Sequence, residues 1–219
     1  MNESDSHPKP DERASAAIIL PPTLDDRSVE QMQLAIAKRS PQAPLVMNAR
    51  HCVFATPYAL AALLAAGEER GAKATFIPPA DADTTAYWAR AQFFRYAEEL
   101  YHVRGRVPHV RWTSESDVLL EMTRIPSDDT AGAILERVQR RVLDLLVRGA
   151  RLEAGAAAEH VEAVAVACRT LGAGGGNCGW VMAQVVHYRK QAGLRGVLIG
   201  MAGAGAKGTS WKIEGPLMP

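Results

Sequence analysis

The residues of this chain that could do chemistry lie mainly near its carboxyl end. The run Gly203-Ala204-Gly205-Ala206-Lys207-Gly208 follows a short apolar stretch and offers glycines and one lysine to a phosphate. A dinucleotide site of this spacing also needs a following helix and an acid about twenty residues further on. The remaining residues, which include two prolines, hold neither, and no Gly-Lys-Ser/Thr run makes a phosphate-binding P-loop. Lys207 remains a candidate phosphate contact.

The thiol and imidazole groups indicate no metal or disulfide chemistry. The three cysteines, Cys52, Cys168 and Cys178, form no Cys-x-x-Cys pair and are too scattered for a disulfide framework. His51 adjoins Cys52 rather than standing at ligand spacing, and no second cluster completes a metal site. We therefore expect no bound metal and a reducing, cytoplasmic setting.

Composition narrows the class of protein. The chain has 219 residues, of which 47% are hydrophobic and 22% charged, which is enough for one large domain or two small ones. A net charge of +1 argues against a dedicated nucleic-acid or anionic-membrane surface. No apolar run approaches the length of a membrane span, and the polar residues 1–15 predict a disordered tail rather than a signal peptide.

The first half alternates strand and helix patterns. Apolar runs predict strands at 16–20, 44–48, 74–77 and 101–103. Ser28 with Gln31 suggests a capping box for a first helix, and Thr56-Pro57 suggests the start of a second. A third helix, capped by Asp83 or Thr84, is predicted to carry three aromatic residues at intervals of seven: Tyr87, Phe94 and Tyr101.

The second half predicts an α+β arrangement, so the whole chain is α/β in class. After a linker at 105–116, the patterns indicate a strand at 118–125 and an amphipathic helix ending at Gly149. A central helix at about 157–171 follows, then strands at 180–188 and 197–201. Because so short a sheet leaves an open edge, we expect a homodimer or a bound partner to cover 180–188 or 197–201.

The run LVMNARHCVFATPYALAALLAAGEERGAKATFIPP resembles the STAS domain, the sulfate-transporter and anti-sigma-antagonist fold. The resemblance covers 16–112 and implies a small sheet with helices that acts as a docking module. Family members that switch partners carry a phosphorylated serine at the start of the long helix, and Pro57 stands there instead. Of the nearby hydroxyls, Thr56 and Tyr58, Thr56 is either a substitute for that serine or merely the helix cap. Asn48 stands where the family usually has an acidic residue.

Residues 113–219 resemble the N-terminal part of the histidine-kinase-like ATPase domain, cut short. Active members have Glu-x-x-x-Asn on the central helix, where the glutamate activates the attacking group and the asparagine holds Mg²⁺. Val166 and Thr170 stand at that spacing here. Members also have Asp-x-Gly-x-Gly, in which the carboxylate accepts a hydrogen bond from the adenine amine. Met201 takes the aspartate's place, while Gly203 and Gly205 remain.

The resemblance therefore implies a degenerate nucleotide pocket without catalytic residues. Its remaining members are Thr170, Gly203, Gly205 and Lys207. We expect no cofactor, and a non-catalytic regulator that works by protein–protein contact in a bacterial partner-switching or stress-signalling pathway. The alternative is an ATP-binding anti-sigma-type serine kinase or ATPase completed by another subunit. A nucleic-acid-associated protein that uses the arginines of the linker is a third hypothesis.

Overall fold

Two four-stranded sheets and the helices between and around them make up this protein. The structure is a computed structural model and describes residues 16–108, 110, 116–173, 178–188, 194–204 and 206–216. The strands are β1 (Ala16–Ile19), β2 (Thr23–Leu24), β3 (Leu45–Asn48), β4 (Phe54–Ala55), β5 (Thr75–Ile77), β6 (His102–Val103), β7 (Leu119–Pro126), β8 (Cys178–His187), β9 (Arg195–Gly203) and β10 (Ala206–Glu214). The helices are α1 (Asp26–Ala37), α2 (Pro57–Glu68), α3 (Ala82–Arg90), α4 (Phe93–Leu100), α5 (Ala131–Asp144) and α6 (Ala154–Ala173). The predicted α/β class is confirmed.

The first half forms a parallel sheet in the order β1-β3-β5-β6. Its strands are short, and its central ones bury alternate side chains such as Met47 and Phe76, which are paired in register. A separate two-stranded parallel ribbon joins β2 to β4 beside the carboxyl ends of these strands. Each strand of the main sheet is followed by a helix, except β6, which is the arrangement that the alternating sequence patterns predict.

Helix α2 lies between the two sheets. Eleven consecutive residues, Pro57 to Gly67, are buried, so the helix has no exposed face over this length. Its sequence is almost entirely alanine and leucine, which combine high helix propensity with apolar surface all round. The composition therefore already indicates a helix that is covered on every side.

The second half forms an antiparallel sheet in the order β10-β9-β8-β7. On the face toward α2, six side chains join the hydrophobic core of the first half: Leu119, Met122, Cys178, Trp180, Met182 and Ala202. We call this the α2 core. On the opposite face, Val181, Ile199, Met201 and their neighbours pack against α5, α6 and the π-helical turn Leu145–Gly149, forming what we call the α6 core. One sheet thus separates two cores. The division of the chain at residue 112 stays a prediction.

Two predicted helix starts are wrong, because an aspartate two or three residues upstream provides the cap. Asp25, not Ser28, caps α1, and its carboxylate accepts the backbone N–H of Ser28 at 3.0 Å. Asp81, rather than Asp83 or Thr84, caps α3 and accepts the N–H of Thr84 at 2.7 Å. The side chain of a cap residue accepts a hydrogen bond from a backbone N–H in the first turn of the helix. Another polar residue within that turn therefore looks equally suitable as the cap in the sequence.

The predicted third helix is in fact two helices. Gln92 adopts a left-handed backbone conformation with φ of 61°, which interrupts the helix between α3 and α4. The break lets Phe93 and Phe94 both turn into the α2 core, where Trp88 packs against them. Tyr101 lies beyond the end of α4 and is buried beside α2. The aromatic spacing of seven therefore reflects a shared core and not one continuous helix.

The predicted open edge is also wrong. Strand β8 pairs with β7 and β9, and β9 pairs with β8 and β10, so both proposed edge segments are central strands. The unforeseen strand is β10, which follows the Gly-x-Gly run and pairs along β9. On the other side, β7 is partly covered because Met122 N–H donates to Ala91 O at 2.9 Å. Among the described residues, no helix is both long and apolar enough to span a membrane.

Candidate functional site

The two residues that the sequence resemblance assigns to the ATPase base and metal ligand lie on the exposed side of α6. Val166 is 50% exposed, and Thr170, one turn later, is exposed too. The Thr170 hydroxyl donates to the carbonyl oxygen of Val166 at 3.0 Å, so it is engaged by its own helix. The opposite side of α6 packs on the sheet through Val164, Cys168 and Leu171. Neither exposed residue can act as a strong base or a strong Mg²⁺ ligand.

Met201 stands at the position that the resemblance assigns to the adenine-binding carboxylate, so a thioether takes the place of an acid there. Met201 is fully buried on the α6 face of β9, with its Sδ 3.1 Å from the Sγ of Cys168. Burial raises the pKa of the Cys168 thiol to about 12, so it is neutral at physiological pH. A thioether accepts hydrogen bonds only weakly. This position therefore contributes packing to the α6 core.

Gly203, the last residue of β9, is explained by close packing. A Cβ at this position would lie 3.3 Å from Cδ2 of Leu171 on α6. The fold thus brings the end of α6 and the end of β9 together, but through Leu171 rather than the neighbouring Thr170. Gly205 lies outside the described residues. Lys207 belongs to β10, and its side chain likewise lies outside the described part of the chain.

A small cavity lies at this end of the α6 core. It has a volume of about 200 Å³ and is lined by Ile125, Pro126, Ser127, Ala131, Leu135, Cys168 and Arg169. Ligand pockets usually enclose at least about 300 Å³, so this space is small for a nucleotide. Within the described ranges, no three His, Cys, Asp or Glu side chains come together in a way that could hold a metal ion.

At the start of α2, Thr56 acts as a helix cap. Its side-chain oxygen accepts the backbone N–H of Ala59 at 3.2 Å, and its backbone is extended as a cap requires. Pro57 occupies the first helical turn, where its missing N–H costs nothing. The local geometry thus matches the capping interpretation of Thr56.

Tyr58 is covered by the antiparallel sheet. Its ring is buried, and a Cβ at Gly208 would lie only 2.4 Å from its Cε2. The pKa of Tyr58 is raised, chiefly by burial and also by the negative charges of Asp26 and Glu30. Of the two hydroxyls singled out in the sequence, Tyr58 is therefore enclosed, and Thr56 is half-buried.

An exposed apolar pair, which the sequence did not single out, precedes α2. Val53 is 58% exposed and Phe54 is 47% exposed. Both are held rigidly, since their backbone N–H groups donate to Pro22 O at 2.8 and 3.1 Å. A third exposed apolar residue, Ile19, lies at the end of β1 just before this proline. We call the exposed pair the Val53–Phe54 surface. Its residues sit beside buried Cys52 and Ala55 without alternation, so no sequence period revealed them.

Two carboxylates flank the Val53–Phe54 surface. On one side, the Oγ1 of Thr84 lies 3.1 Å from Val53 O and 2.6 Å from the carboxylate of Asp81. On the other, Phe54 pairs with Thr23, whose carbonyl oxygen lies 3.1 Å from the hydroxyl of Ser28, the partner of Asp25. Hydrogen bonds from Thr84 and Ser28 lower the pKa of the two carboxyls, which are exposed and ionised at neutral pH.

An ion pair ties the far end of α2 to the antiparallel sheet. Arg124 on β7 donates to Glu68 at 2.5 Å and lies over the Trp180 ring, 5.6 Å from its centroid. Cys178 is buried beside this pair, and burial raises its pKa although Arg124 opposes the shift. The cluster fixes the position of α2 on the sheet.

Comparisons with known protein families, with curated proteins and with solved structures find no match for this chain.

Proposed function

We propose that this protein is a non-catalytic regulator that acts by protein–protein interaction, as expected of a bacterial partner-switching or stress-signalling pathway. The observation that carries the proposal is the Val53–Phe54 surface, two large apolar side chains that stand in solvent on a rigid base. Contiguous apolar surface rimmed by polar groups is typical of protein interaction sites.

The base of this surface is preorganised. The β2–β4 ribbon, the Asp25 cap of α1 and the Asp81 cap of α3 hold the backbone around Val53 and Phe54 in one conformation. A rigid surface loses little conformational entropy when a partner docks, so more of the contact energy remains as affinity. The resemblance of residues 16–112 to a docking module supports the same function.

The α6 region supports the non-catalytic part of the proposal. Met201, which the resemblance assigns to the adenine-binding aspartate, packs on Cys168, and the Thr170 hydroxyl is engaged by its own helix. An unpaired polar atom of a buried ligand costs on the order of 1–3 kcal/mol, and the loss of the base and the metal ligand adds to this. Such a site would hold ATP poorly.

Photo-crosslinking tests the proposal in the full-length protein. A benzophenone amino acid is placed at Phe54 and, as a matched control, at Val166, which is similarly exposed on α6. We expect a discrete protein adduct from position 54 and none from position 166. Equal adducts at the two positions, no adduct at either, or micromolar Mg-ATP binding in calorimetry would overturn the proposal.

A further inference from the structure

We infer that the occupant of the Val53–Phe54 surface is a second copy of this chain, which docks head to tail through the exposed side of α1. The inference rests on the proposed function, because it takes the Val53–Phe54 surface as a docking site and names what covers it.

The exposed side of α1 carries the second half of the contact. A surface groove of about 610 Å³ is lined by Gln31, Leu34, Ala35, Lys38 and Arg39. Leu34 is 63% exposed, so the groove presents an apolar side chain to solvent. Lys38 and Arg39 place positive charge at its end.

The two surfaces are complementary in charge as well as polarity. Around Val53 and Phe54 stand the ionised carboxylates of Asp25 and Asp81, with exposed Asp26 and Asp83 next to them. Arg27 and Arg50 are the neighbouring exposed cations, so carboxylates are in excess. The groove presents Leu34 with Lys38 and Arg39. Each surface thus offers an apolar centre with a charged rim of opposite sign.

The distance between the two surfaces on one molecule makes the contact intermolecular. Asp25 caps the N-terminus of α1, whereas Lys38 caps its C-terminus, 13 residues later. At 1.5 Å per residue these ends are about 20 Å apart, so one molecule cannot join its own two surfaces. Because the two patches differ, each head-to-tail contact leaves one groove and one Val53–Phe54 surface free, and further copies can add there.

Sedimentation velocity of the full-length protein tests this directly. We expect the mean mass to rise with protein concentration and to fall with added salt, since the rim charges are exposed. Phe54→Ser and Leu34→Ser should each weaken self-association at least about tenfold, because each removes one apolar anchor. Val166→Ser, at an exposed site outside both surfaces, should change nothing.

Mixing the two variants gives a sharper readout. Phe54→Ser retains an intact groove and Leu34→Ser retains an intact Val53–Phe54 surface, so the equimolar mixture can form one contact only. We expect the mixture to form a species of twice the monomer mass and nothing larger, while each variant alone stays monomeric.

Charge variants that preserve the fold complete the test. Serine caps helices as well as aspartate does, so Asp25→Ser and Asp81→Ser remove charge while keeping both caps. Together they should weaken association and flatten its salt dependence, whereas Glu159→Ser on α6 should not. A wild-type protein that stays monomeric at all concentrations, or a mixture that forms no dimer, overturns the inference. A position-54 adduct with a different protein would then leave the proposed function standing, and no adduct would remove both.

Discussion

The two faces of the antiparallel sheet are packed by different means. Toward α6, bulky side chains such as Met201, Ile199 and Val181 interdigitate with those of the helices. Toward α2, side chains such as Trp180 and Met182 also join the core, but at Gly200 the strand backbone meets the helix directly, since a Cβ there would lie 1.9 Å from the backbone nitrogen of Tyr58. The first face therefore depends on side-chain volume, and the second depends in addition on the absence of a side chain at Gly200. Side chains on the α6 face can relax around a substitution, but the backbone contact at Gly200 cannot.

The largest effect is expected from Gly200→Ala. The added methyl group meets the backbone nitrogen and Cα of Tyr58 at 1.9 and 2.2 Å, and a helix backbone cannot move aside as a side-chain tip can. We expect a loss of about 4 kcal/mol or more of unfolding free energy, or no folded protein, measured by chemical denaturation. Gly132→Ala is the matched control, because nothing lies within 4 Å of its added Cβ. Alanine there should stabilise helix α5 by up to about 1 kcal/mol. Similar behaviour of both variants would show that α2 does not rest on Gly200.

The next largest loss of unfolding free energy is expected on the α6 face of the sheet. Met201→Ala should cost about 2–5 kcal/mol by leaving a cavity beside Cys168. Because the neighbouring side chains can partly collapse into this space, the protein should still fold cooperatively. Val166→Ala, at an exposed position on helix α6, should change the unfolding free energy by less than about 0.5 kcal/mol. A loss at Met201 as small as that at Val166 would contradict the packing described here.

A smaller effect is expected at the cap of α2. Thr56→Ala removes the oxygen that accepts the Ala59 N–H and should cost about 1 kcal/mol. Thr56→Ser keeps this hydrogen bond and should restore most of the loss. If both variants are as stable as wild type, capping does not explain Thr56. That result would favour the alternative, in which Thr56 is a modified residue.

The smallest effect concerns the thiols on the two faces. Cys168 belongs to the α6 core and Cys178 to the α2 core, and burial raises the pKa of both. Neither should react with iodoacetamide in the native protein, and both should react after unfolding. For Cys168 the folded pKa is about 12 against 9.0 ordinarily, so its contribution to stability is complete below pH 9 and declines as the pH rises further. Mass spectrometry of the labelled protein identifies which face opens first, and rapid labelling of native Cys168 would be inconsistent with its burial.

Much of the secondary structure could be predicted because it depends on local chemistry. The apolar run at 44–48, the Thr56-Pro57 start of α2 and the amphipathic stripe of α6 all appear in the structure where the patterns place them. The aspartate caps and the break at Gln92 were missed, since neighbouring residues offer equally good local choices and only tertiary packing selects among them. Strand β10 was missed because its glycine, serine and lysine content carries no apolar period.

The candidate sites divide in the same way. The absence of an acid at Met201 and of a base at Val166 is a matter of residue type, which the sequence states directly. The sequence did not reveal the exposure of Val53 and Phe54, because Phe54 begins a strand of only two residues, Val53 lies before that strand, and the run shows no alternation. Whether an apolar side chain is buried depends on what folds over it.

The sequence by itself determined the α/β class and the helix and strand order around α2. Only the tertiary structure decided that α2 lies between two sheets, that β8 and β9 are central strands, and that Val53 and Phe54 stand in solvent. The physical reason is one of range. Helix caps, turns and side-chain periods are set by interactions over a few residues, whereas burial and strand order depend on contacts between segments far apart in the chain.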